Sequence, residues 1–80
     1  MSQTINFNSN DWNSIQDTID KINAIGEMQF GRTEDGEFII FDVGANNTLI
    51  TDVVQDNGWV RRNIYHPNDG TIEELYKKES

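Results

Sequence analysis

Proton transfer needs a histidine, a phenol or a carboxylate held within reach of one another. The chain offers one such neighbourhood, made of Tyr65, His66, Asp69 and Tyr76. His66 is its single histidine and lies beside a turn, where a histidine is far more often a surface or capping residue than a base. The serines (Ser2, Ser9, Ser14, Ser80) lie near the ends or on a helix surface, so no nucleophile–base pair assembles. The acid pairs Glu34/Asp35 and Glu73/Glu74 are adjacent in sequence. Adjacent residues on a strand point to opposite faces, which keeps them from converging on a glycosidic bond. No phosphate-binding loop, dinucleotide fingerprint, zinc-protease motif or EF-hand is present, and the acids of Asp52–Gly58 lack calcium-loop spacing. Asn46-Asn47-Thr48 matches a glycosylation sequon, which matters only in a secreted eukaryotic setting that nothing else supports. No catalytic, cofactor-binding or metal-ligating residue is expected, and no cofactor.

Recognition chemistry is the other prospect. Trp59, Arg61, Arg62 and Tyr65 combine aromatic and guanidinium groups of the kind that stack on single-stranded nucleic acid. Such surfaces sit in a wider basic field, yet fourteen acidic residues against six basic ones leave this chain at −8. The arginines also alternate across a strand. They read as cross-strand partners of acids: Asp52 a diagonal step from Arg61, with Glu73 and Glu74 within reach across the next hairpin where the tail is a strand. The acidic balance argues against direct contact with nucleic acid or anionic membranes and for basic or apolar protein partners, although negative charge also simply keeps a small protein dispersed.

The remaining bulk properties set a frame. Eighty residues read as a single small domain, 1–80, with a thin core that gains from self-association. The absence of cysteine excludes disulfides and fits a cytoplasmic setting. Met1–Asp11 has neither the basic nor the apolar segment of a signal peptide, and no apolar run reaches membrane-span length. Ten asparagines and many isoleucines point to an AT-rich genome, bacterial or phage.

The elements that would position these residues form an α+β fold. Its N-terminal amphipathic helix packs on an antiparallel β-meander of four or five strands. The helix spans Ser9 to Ile25, with Trp12, Ile15, Ile19 and Ile22 as its apolar stripe and Asp17 facing Lys21 on the outer side. Asn8 is the expected N-cap, Phe7 and Trp12 a hydrophobic staple, and Gly26 the stop. Strands follow over Glu27–Thr33, Phe38–Val43, Thr48–Gln55 and Trp59–His66, separated by turns at Asp35-Gly36, Gly44–Asn47 and Asn57-Gly58. Thr71–Lys78 reads as strand or short helix: a capping box and Glu, Leu and Lys favour helix, whereas the turn before it favours strand.

Two-residue turns at Asp35-Gly36 and Asn57-Gly58 would put Phe30 opposite Phe41 and Met28 opposite Val43, with Ile39 on the same face. Phe38 and Ile40 would take the other. In the second hairpin, Leu49, Thr51, Val53, Val60 and Ile64 would share one face, and Ile50, Val54, Trp59 and Tyr65 the other. Both faces are then apolar and one helix covers only one. The second needs the tail folded back as a helix, a second copy, or another protein. Phe38, Ile40, Ile50, Val54, Trp59 and Tyr65 are the candidate interaction surface.

The function expected is a non-enzymatic, acidic protein–protein interaction module, self-association included. One alternative is an acidic mimic of nucleic acid that inhibits a basic protein, as phage or mobile-element anti-defence proteins do, through Asp17, Asp20, Glu34, Asp35, Glu37, Asp56 and Asp69. The other is a small-ligand or enzyme site near His66.

Overall fold

The computed structural model describes residues 7–33, 35–55 and 57–78. Helix α1 (Trp12–Ile25) packs on a five-stranded antiparallel sheet whose spatial order follows the chain: β1 (Gln29–Arg32), β2 (Phe38–Gly44), β3 (Thr48–Val54), β4 (Trp59–His66) and β5 (Thr71–Lys78). The α+β meander expected from the sequence is the observed fold. No described helix is long and apolar enough to cross a membrane.

The helix begins later than its pattern suggests. Asn8 does not cap it; its Oδ1 accepts from the Asn10 backbone N–H at 3.0 Å, which closes a turn before the helix. Asp11 is the N-cap, and its Oδ1 accepts from the Asn13 N–H at 3.0 Å. Trp12 therefore stands at the first helical position, 37 % exposed, and the expected Phe7–Trp12 staple is absent. Phe7 instead sits edge-on to Phe41 and Tyr65, with ring centroids 5.3 and 5.7 Å away. The buried stripe is Ile15, Thr18, Ile19 and Ile22. Thr18 is tolerated there because its hydroxyl donates to the Ser14 carbonyl at 2.9 Å. On the outer face Gln16, rather than Lys21, meets an acid, donating to Asp20 Oδ1 at 3.0 Å. Gly26 ends the helix at φ 88, its N–H bonded to the Ile22 carbonyl at 2.8 Å.

Both glycine turns are one residue longer than expected, and this sets which side chains face the helix. Thr33 donates to the Glu37 carbonyl at 2.9 Å and accepts from Gly36 at 2.9 Å; Gln55 donates to the Trp59 carbonyl at 2.8 Å and accepts from Gly58 at 3.2 Å. Each loop thus holds three residues, with the glycine left-handed (Gly36 φ 83, Gly58 φ 84). A two-residue type I′ turn needs positive φ at both central residues, a steric cost for Asp35 and Asn57. The three-residue loop asks this only of glycine, which bears no steric penalty. Gly58→Ala is accordingly expected to destabilise the fold by about 1–2 kcal/mol and Gly58→Asn by less, read from urea midpoints, since asparagine tolerates left-handed backbone.

The resulting register places Gln29 opposite Phe41 and Phe30 opposite Ile40 in the first hairpin, and Leu49 opposite Tyr65 and Val54 opposite Val60 in the β3–β4 hairpin. Each differs by one residue from the expected pairing, so β1 and β4 turn over relative to β2 and β3. Between β2 and β3, Asn46 and Asn47 take the left-handed conformation (φ 58 and 61), and Phe41 pairs with Thr51. The core gathers Ile15, Ile19 and Ile22 of α1 against Ile39, Phe41, Leu49, Val53 and Tyr65.

The tail is the fifth strand, not a helix over the second face. After β4, the Gly70 N–H bonds to the His66 carbonyl at 2.8 Å, and Asp69 Oδ1 accepts from the Thr71 hydroxyl at 2.6 Å and the Thr71 N–H at 3.1 Å. Those two bonds, the hydroxyl first, hold the exposed Asp69 carboxyl below its ordinary pKa. Pairing with β4 over eight residues satisfies the backbone cooperatively. The helix preference of Glu, Leu and Lys amounts to a few tenths of a kcal/mol each and does not outweigh it.

Candidate functional site: the uncovered face of the sheet

The candidate surface read from the sequence divides between the two faces. Phe38, Ile40, Ile50 and Val54 do share one face, the one turned away from α1. Tyr65 and Trp59 do not join them. Tyr65 is 2 % exposed in the core beneath the helix, and Trp59 lies on the helix side at the rim. Their places on the uncovered face are taken by Val60 and Ile64, which the longer β3–β4 loop turns over. Val60 is buried without belonging to the cluster under the helix. Phe30, expected opposite Phe41 in the core, is likewise on the uncovered face. Among the described residues no element lies over this face.

Its side chains form cross-strand rows. Phe30, Ile40, Asp52, Arg62 and Leu75 align in one; Arg32, Phe38, Val54, Val60 and Lys77 in the next; Asp42, Ile50, Ile64 and Glu73 in a third. Apart from Asp52 and Arg62, the charged groups of these rows fall at the ends of the outer two, cations (Arg32, Lys77) in one and acids (Asp42, Glu73) in the other. Phe30 and Phe38 stack with centroids 5.6 Å apart and planes 15° from parallel, and the Arg32 guanidinium lies 5.8 Å from the Phe38 centroid.

At the middle of the face Arg62 grips Asp52 with two parallel bonds, Nε to Oδ1 at 2.7 Å and Nη2 to Oδ2 at 2.8 Å. The cross-strand pairing of an arginine with Asp52 was legible; the partner is Arg62, directly opposite, rather than Arg61. Their side chains are only 30 % and 18 % exposed, so the fork neutralises charge inside an apolar surround and leaves the face open to an apolar partner.

The residues considered for acid–base work are not assembled into one site. Tyr65 faces the helix side, and Tyr76 is on that side of β5, opposite Arg61. His66 is on the uncovered side, its Nε2 2.7 Å from Glu73 Oε2, and Asp69 is committed to Thr71. A shallow hollow of about 400 Å³ beside Gln55, Asn57, Trp59 and Tyr76 is wide open. No cluster of His, Cys, Asp and Glu able to hold a metal occurs among the described residues.

The acids considered for mimicry lie on separate elements. Asp17 and Asp20 are exposed on α1, Asp35 is exposed and Glu37 half-buried at the β1–β2 turn, and Glu34 and Asp56 fall outside the described residues. No family model matches the chain, and neither the curated proteins nor the solved structures contain a significant match.

Proposed function

We propose that this chain is a non-enzymatic protein–protein interaction module that presents the uncovered face of its sheet to another protein. The observation that carries the proposal is that face itself. Phe38 is exposed and Ile40, Ile50, Val54 and Ile64 are half-buried, side by side on β2, β3 and β4 around the buried Val60, with no described element above them. An antiparallel sheet with one solvated face normally alternates apolar and polar residues, and contiguous exposed apolar area is the ordinary mark of an interaction surface. The Asp52–Arg62 fork at its centre suits a partner of the same character, because it offers fixed polar geometry without net charge.

The test replaces apolar groups while keeping strand preference. A triple variant Ile40→Thr, Ile50→Thr and Ile64→Thr is expected to weaken capture of a partner protein by at least about ten-fold, since apolar groups at the centre of an interface carry most of its affinity. Far-UV circular dichroism should be unchanged, because threonine retains β-propensity. Undiminished capture by the folded triple variant would overturn the proposal.

A further inference from the structure

The outer edge of β5 is the second unfilled surface. β5 and β1 are the two edge strands of the sheet. β1 is four residues long, whereas β5 runs for eight with every residue exposed, including Ile72 at 50 %, Leu75 at 51 % and Tyr76 at 60 %. A long edge with unpaired backbone groups is a template for another strand, and proteins usually defend such edges with lysine. Lys77 and Lys78 would be that defence on their own. They are not on their own: Glu73 and Glu74 stand symmetrically on the other side of Leu75 and Tyr76.

The order acid, acid, apolar, apolar, base, base is complementary to itself when reversed. We infer that the β5 edge pairs antiparallel with β5 of a second copy of this chain, joining two sheets into one of ten strands. This rests on the reading of the chain as an interaction module and names the partner at one edge. A two-fold axis normal to the sheet keeps each face continuous, so residues opposite one another must lie on the same face. With Leu75 opposite Leu75 of the second copy, Glu73 faces Lys77 of the second copy on either side of the axis. Shifted so that Tyr76 meets itself, the strands bring Glu74 against Lys78 twice. Both registers centred on the apolar pair thus form two acid–base pairs across the axis, whereas centring on Glu74 or Lys77 would set like charges together. A parallel pairing in register would oppose like charges.

The rest of the molecule makes this edge the favoured place of approach. At a net charge of −8 two copies repel one another over most of their surface. Two of the six basic residues are placed on β5 and balance its two acids, so the edge is locally neutral.

Sedimentation velocity with light scattering tests the inference on the full chain. The wild type is expected to dimerise, more weakly as salt rises from about 0.05 to 0.5 M, because exposed pairs are screened. Glu73→Lys/Glu74→Lys and Lys77→Glu/Lys78→Glu should each weaken self-association by on the order of ten-fold or more, since every cross-strand pair becomes repulsive. An equimolar mixture of the two should recover a heterodimer. The variant carrying all four reversals should recover the homodimer, which separates charge matching from any loss of folding. A wild type monomeric up to about 1 mM, or single-sign variants that associate as tightly as wild type, would overturn the inference. If the single-sign variants fail to fold, a wild-type dimer indifferent to salt does the same. A monomeric wild type still leaves the uncovered face able to bind a different protein. An intact edge dimer combined with undiminished partner capture by the Ile40, Ile50 and Ile64 triple variant is the opposite result.

Discussion

Tyr65→Ala is expected to lower the unfolding free energy by about 3–5 kcal/mol, and Ile64→Ala, its immediate neighbour, by roughly 1 kcal/mol. The two side chains leave the same strand in opposite directions. Tyr65 is packed beneath α1 with Phe7 and Leu49 and is 2 % exposed. Its removal leaves a cavity between helix and sheet that the neighbouring Phe41 and Leu49 cannot fill without leaving their own rotamers. Ile64 is half-buried on the uncovered face, so its truncation returns to water an area already partly wet. A two-residue turn at Asn57-Gly58 would exchange these sides and reverse the order of the two effects. Urea denaturation of both variants therefore reads the β3–β4 register directly. An 80-residue domain has a stability of about 4–12 kcal/mol, so the Tyr65 variant loses a large share of it.

Ile19→Ala carries the second large effect, about 2–5 kcal/mol, against less than about 1 kcal/mol for Trp12→Ala. Ile19 is fully buried at the middle of the stripe and faces the β2–β3 part of the sheet; Trp12, the largest apolar residue of the pattern, is 37 % exposed at the first helical position. With each kcal/mol worth roughly 4–8 °C in a domain of this size, thermal melts separate the two variants clearly. Equal losses at both positions would mean that Trp12 is part of the core and that the helix starts nearer Asn8.

The fold was legible because its signals are local. Isoleucines at spacings of three and four, Gly26 after them, and alternating β-branched runs separated by glycine turns give one helix and a meander without knowledge of any long-range contact. The helix start was not, because Asn8 and Asp11 are both good caps and the choice between them depends on Asn8 closing a turn of its own. Expecting that both faces of the sheet would be apolar was sound. Assigning Trp59 and Tyr65 to the uncovered one was not, and the error traces to a single residue in one loop. The clue was present in the dipeptides Asp35-Gly36 and Asn57-Gly58, which suit a three-residue loop with a glycine bulge as readily as a two-residue turn.

By itself, then, the sequence determined the types and order of the elements as far as His66, the reserve of apolar residues for two faces and the charge symmetry of Glu73–Lys78. Period, propensity and composition are properties of neighbours in the chain. The tertiary structure decided which residues face the helix, that Arg62 rather than Arg61 holds Asp52, and that the tail is an edge strand. Those outcomes turn on strand register, where a shift of one residue changes little locally and moves every side chain of a strand to the other face. Packing beneath α1 accepts one of the two arrangements, and the other set of side chains is left on the open face.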